Sequence, residues 1–119
     1  NFKNKLNMIR NSILSKILTK KDKNLKGIRS CNMSFFNKDI ELVNGFEEKI
    51  EGWGREDSEL ALRLFNNGIK KKKLKFSALT YHIFHKENDR SHLKENDKLL
   101  SDAIKNKKMV AEKGLNQYD

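Results

Sequence analysis

The chain has 119 residues, no proline, one cysteine and a formal charge of +10. That length fits one domain or a fragment of one, and it allows a single core. No apolar run is long enough to cross a bilayer, the N-terminus lacks the apolar stretch of a signal peptide, and the lone Cys31 excludes an internal disulfide, which suits a reducing, cytoplasmic setting.

The lysines are scattered along the chain among abundant asparagine and isoleucine, a mixture that often accompanies an AT-rich genome. On that ground no nucleic-acid partner is expected. The rival reading is a non-enzymatic basic module that binds nucleic acid or an anionic membrane surface.

Residues 2–18 place Phe2, Leu6, Ile9, Ile13 and Ile17 at helical spacing among lysines. The spacing predicts a helix packed on the rest of the protein. A basic amphipathic helix lying peripherally on a membrane is the sharper alternative. A polar loop follows from Thr19. Residues 28–36, IRSCNMSFF, read as a buried or half-buried strand. A short helix comes next, with Asn37 as N-cap and Asn44-Gly45 closing it. Residues 45–54 form a loop with glycines at 45, 52 and 54.

A second helix is predicted from about Asp57 to Asn67, with Leu60, Leu64 and Phe65 on its inner face and Gly68 at its C-cap position. Asp57 and Glu59 lie in its first turn, where negative charge meets the positive dipole end. The run Lys70–Lys73 reads as a solvated turn. KLKFSALTYHIF, 73–84, supplies one or two short strands, and residues 91–114 a long, mostly exposed helix. The order α, β, α, loop, α, β, α predicts a helix-rich α/β fold with few short strands. Its divisions are 1–27, 28–88 and 89–119.

GWGREDSE, 52–59, sets the only tryptophan between two glycines and follows it with two adjacent carboxylates. A carboxylate at a helix start either caps the helix or acts as a general base in a cleft. An indole between glycines has little packing support and offers a flat apolar platform, such as one face of a sugar ring needs. Taken alone, Trp53 is read equally well as structural packing. His82 and His85 are three apart at a strand end, where histidines are more often structural. A zinc site from Cys31, His92 and these two matches no structural zinc spacing.

Residues 28–88 resemble the C-terminal part of the catalytic domain of nucleotide-sugar glycosyltransferases with the GT-A fold. These are the family 2-type bacterial enzymes and their galactosyltransferase and N-acetylgalactosaminyltransferase relatives. Asn44-Gly45-Phe46, W-G-x-E-D-x-E at 53–59, Arg63-Leu64, Gly68 and H-x-x-H at 82–85 carry the resemblance. It implies that Asp57 is the catalytic base of an inverting transfer, since the retaining relatives carry asparagine there. It implies that Glu56 holds the acceptor sugar and that Trp53, with Gly54, lines the acceptor site. Arg55 stands where the family commonly has glycine.

In the resembling enzymes His82, and in the galactosyltransferases also His85, falls at a ligand position for a divalent ion, usually manganese. That Mn2+ is implied for the full-length enzyme and not for this stretch alone. No Asp-x-Asp motif and no βαβ nucleotide half is found. The sequence is therefore expected to be the acceptor-side half of a larger enzyme. The partners so implied are a nucleotide-sugar donor, a glycan acceptor and a missing N-terminal nucleotide-binding half. Surface left uncovered without that half favours self-association.

Overall fold

The computed structural model describes residues 9–78, 83 and 89–118. The chain divides into two compact units, 1–24 with 70–85 and 25–69 with 86–119.

In the first unit, helix α1 spans Ser12–Leu18. The Asn11 side chain caps it, accepting from the N–H groups of Ile13 and Leu14 at 3.0 and 2.9 Å. The Asn11 N–H donates to the carbonyl of Phe76. Strand β1, Lys20–Asp22, pairs antiparallel with β2, Lys71–Lys73. Several expectations are corrected here. Where the helix was expected from residue 2, the described chain enters it only at Ser12, and residues 1–8 lie outside the described ones. Its one buried residue is Ser15, while Ile13 and Ile17 are 68% and 71% exposed, so its apolar face is not packed inward. The polar loop after Thr19 contains β1, and the lysine run read as a turn is β2. Residues 74–78 are not strand, and 79–82 and 84 lie outside the described residues.

The second unit holds α2, Asn37–Leu42, α3, Glu56–Asn66, and α4, Leu93–Lys105. Its core is Val43, Leu60 and Leu64, with Ile40 and Ile69 against them. The 3.6-residue period that puts Leu60 beside Leu64 aims one stripe of α3 inward. Truncating Leu60 to alanine would cost about 2–5 kcal/mol. At the end of α3, Gly68 stands one residue past the cap with φ +86, and the Ile69 N–H reaches back to the Leu64 carbonyl.

Three expectations give way in this unit. Residues 28–36 are not a strand. They are irregular chain around a short 3-10 turn, Ser30–Asn32, with Phe36 73% exposed. Asn37 is not the N-cap of α2, because Phe36 precedes the first helical residue and Asn37 bonds Glu41 within the helix. The C-terminal helix does not run to Gly114. It stops at Lys105, where Lys107 turns left-handed at φ +49 and the Lys108 N–H closes on the Ala103 carbonyl. The chain then folds back across the 43–48 loop. The Ala111 N–H donates to Val43, Leu115 to Asn44, and Glu48 to Lys113. Gly114 makes this fit possible, since a Cβ there would stand 1.9 Å from the Asn44 carbonyl oxygen.

Candidate acceptor site

The two turns that frame the W-G-R-E-D stretch need left-handed backbone. Asn44 and Gly45 sit at φ +61 and +70 as α2 ends, and a Cβ on Gly45 would meet Leu115 at 2.7 Å. Asn44 keeps its strained conformation through its own amide. Its Oδ1 accepts from the Asn116 N–H at 2.8 Å, and its Nδ2 donates to the Ala111 carbonyl.

Arg63 holds this loop from below. Its guanidinium is fully buried and donates to the carbonyls of Val43 and Gly45 at 2.5 and 2.8 Å. One turn earlier, Glu59 takes both Nε and Nη2 of the same guanidinium at 2.7–2.9 Å. In the sequence Glu59 reads as a helix-dipole charge, and it and Arg63 stand among the residues that carry the resemblance, but their pairing is not foreseen. The available signal was their i, i+4 spacing, acid before base.

Asp57 is not the cap of α3. The cap position is Arg55, which makes no side-chain cap bond. Asp57 Oδ2 instead accepts from the Ser30 N–H at 2.8 Å. Among the described residues, Asp57 Oδ1 and Glu56 Oε2 are the buried side-chain oxygens without a hydrogen-bond partner. Two adjacent acids at one helix start therefore each keep an acceptor atom unused, beside the positive end of the helix dipole.

Arg55 adopts φ +79, a conformation that costs most residues and that glycine takes readily. This is the physical reason a glycine would suit that position. The Arg55 side chain pairs with Asp97 on α4.

The motif loop rests on the start of α4. Buried Asn96 donates to the Glu51 carbonyl at 2.8 Å. A Cβ on Gly52 would meet the His92 ring at 3.1 Å, and one on Gly54 would meet Leu93 at 3.0 Å. The Arg90 guanidinium lies 4.3 Å from the centroid of Trp53, which remains 37% exposed. Sequence reasoning treated residues 89–119 as a separate helix and missed this support. His92 contacts Glu95 at 3.4 Å and the glycine loop, not Cys31.

His82 and His85 lie outside the described residues. Among the described residues, no group of three histidine, cysteine or acidic side chains is arranged to hold a metal ion. A shallow cavity of about 220 Å³ lined by Leu99, Asp102, Ala103, Asn106, Lys108 and Glu112 opens at the other end of α4 from the motif loop.

The helices and small sheet are in keeping with an α/β glycosyltransferase domain. Residues 14–86 match the family model described as the N-terminal domain of galactosyltransferase. The chain belongs to that family, a GT-A-type glycosyltransferase domain. No curated protein and no solved structure matches it significantly. The match begins ahead of the quoted motifs, within α1, so it takes in most of that helix and both strands. It ends before Arg90 and the α4 residues that carry the motif loop.

Proposed function

We propose that the chain is the acceptor-side, C-terminal half of an inverting glycosyltransferase domain, with Asp57 as the general base. The observation that carries this is the state of Asp57: one carboxylate oxygen is fixed by Ser30 and the other is buried with no hydrogen-bond partner. A base needs both an orientation and a spare lone pair. In the proposed step the acceptor hydroxyl gives its proton to Asp57 as its oxygen bonds to the anomeric carbon. The bond from that carbon to the nucleotide diphosphate breaks, and its electron pair leaves with the phosphate. Glu56 hydrogen-bonds the acceptor sugar through its own unused oxygen, and the exposed part of the Trp53 indole carries the sugar's apolar face. Gly54, whose missing side chain lets Leu93 pack close, keeps the loop that presents the indole in place.

Donor binding is completed by polypeptide outside these 119 residues, so this stretch alone is expected to show no sugar transfer. His82 and His85 are proposed as ligands for a divalent ion, with manganese suited to imidazole and oxygen donors. When bound, that ion would offset charge on the departing diphosphate. His82→Ala should raise the manganese concentration giving half-maximal activity, and an unchanged midpoint would remove it from the ligand set.

The decisive test is Asp57→Asn in the full-length enzyme. Asparagine keeps the shape and accepts the Ser30 N–H through its carbonyl, but it takes no proton. Turnover is expected to fall about 10²–10⁴-fold with nucleotide-sugar affinity kept. Activity within about threefold of the unmodified enzyme excludes Asp57 as the base.

A further inference from the structure

We propose that the unit formed by residues 9–24 and 70–78 is a docking surface for an anionic lipid bilayer. The reading does not depend on the role of Asp57. It starts from where the charge sits. In residues 9–24 and 70–78, ten lysines and arginines face one carboxylate, Asp22. In residues 25–69 and 89–118 there are thirteen cations and thirteen carboxylates. Among the described residues, the whole excess of positive charge therefore belongs to one small unit. Lysines that look scattered in the sequence are gathered by the fold.

The same unit turns its apolar side chains outward. Ile13 and Ile17, one turn apart on α1, are 68% and 71% exposed, and Ile9, in the chain ahead of the helix, is 43% exposed. Leu14 and Leu18 flank them, 39% and 36% exposed. Exposed isoleucines set among lysines fit the boundary between lipid headgroups and acyl chains. Nucleic acid would use the lysines but has no use for the isoleucines.

The β-ribbon supports the choice of an anionic partner. Lys20 stands opposite Lys73 and Lys21 opposite Lys72, and like charges directly across a ladder are destabilising. Only the last pair, Asp22 with Lys71, is complementary, with an ion pair at 3.3 Å. A layer of anionic headgroups would supply the missing counter-charge to both like-charged pairs. Each lysine held near such a surface contributes about fivefold in affinity.

The test is co-sedimentation of the 119-residue chain with phosphatidylserine-containing vesicles and with pure phosphatidylcholine vesicles, at low and physiological salt. Binding is expected to the anionic vesicles alone and to weaken with salt. Ile13→Gln with Ile17→Gln leaves the charge unchanged, removes little internal packing, and should cut vesicle binding about tenfold or more while leaving weak binding to single-stranded DNA unchanged. Lys20, Lys21, Lys72 and Lys73 changed together to glutamine should lower both. Absence of binding to anionic vesicles overturns the proposal. So does an isoleucine double variant that, with an unchanged circular-dichroism spectrum, still binds vesicles as the parent does. That result would leave a phosphate-binding surface of the nucleic-acid kind.

Discussion

Arg63 is the residue whose removal the second unit can least tolerate. Its pair with Glu59 is wholly withdrawn from water. The desolvation cost of such a pair roughly offsets its attraction, so the pair adds little net stability over an apolar substitute, but losing one member strands a buried charge. Glu59→Gln and Arg63→Lys are each expected to lower unfolding free energy by about 3–5 kcal/mol, read from urea denaturation midpoints. Lysine keeps the charge but lacks the fork that reaches two carbonyls and one carboxylate together. The double change Glu59→Met with Arg63→Leu should recover part of this loss. It should not recover all, because the Gly45 carbonyl then lacks its Arg63 donor, at about 1–3 kcal/mol. The Val43 carbonyl keeps the Ala111 N–H. A midpoint unmoved by Arg63→Lys would show that one point charge suffices and that the fork geometry is irrelevant.

The segment 108–117 is the element that locks the 43–48 loop, and Glu47 is its anchor. This buried carboxylate accepts from Lys108 Nζ and the Glu112 N–H at 2.8 Å, and from the Lys113 N–H at 3.2 Å. Burial pushes its pKa up, but the bonds from Lys108 and Glu112 outweigh that and hold it below the ordinary value. Exposed Glu112, bonded by Lys49 and Lys108, is lowered to about 2. Both folded values lie below the unfolded ones, so their contribution is complete above the ordinary carboxylate pKa of about 4.3 and fades as pH falls below it. Hydrogen-exchange protection of the Ala111 and Leu115 amides should fall across that acid range. Glu47→Gln should lower it already at neutral pH and flatten the acid response, and an unchanged pH profile would remove Glu47 as the anchor. The sequence made this element hard to foresee. Residues 105–110, KNKKMV, contain no glycine or proline to stop a helix, and the stop comes from tertiary contacts. Asn66 at the end of α3 and its C-cap Asn67 donate to the carbonyls of Lys108 and Met109. By contrast, α3 was legible to within one residue at each end, because its apolar period and acidic first turn point the same way. The strand expected at 28–36 rested on an apolar run, and Phe35 and Phe36 found no core to enter. The real strands are made of lysines and one aspartate, residues with little strand preference, so no pattern announced them. Of the candidate acceptor site, the W-G-R-E-D residues were legible as a motif. Their supports, Asn96, His92 and Leu93, were not, since sequence distance hides which helix lies under a loop.

At the scale of the whole molecule, the division of charge separates two kinds of stability. The second unit balances its charges and buries a core of Val43, Leu60 and Leu64. The first unit has a three-residue ribbon, a seven-residue helix and a crowd of lysines. A two-stranded ribbon is marginal in water by itself, and here mutual repulsion works against it. Salt should therefore act unequally. Raising ionic strength shortens the screening length from about 30 Å at 0.01 M to about 8 Å at 0.15 M. That leaves the nearest Lys20–Lys73 and Lys21–Lys72 repulsions largely in place but removes the long-range part summed over the cluster. Amide protection in residues 20–22 and 71–73 is expected to rise with sodium chloride, while protection in α3 changes little because Arg63 and Glu59 are shielded from the solution. The measurement is residue-resolved hydrogen exchange at the two ionic strengths, with pH fixed. Equal gains in both units would mean that salt acts on the chain as a whole, through hydration rather than through the lysine cluster. A loss of ribbon protection with salt would mean that repulsion is not what limits the ribbon, and that the Asp22–Lys71 ion pair, which salt weakens, is what holds it.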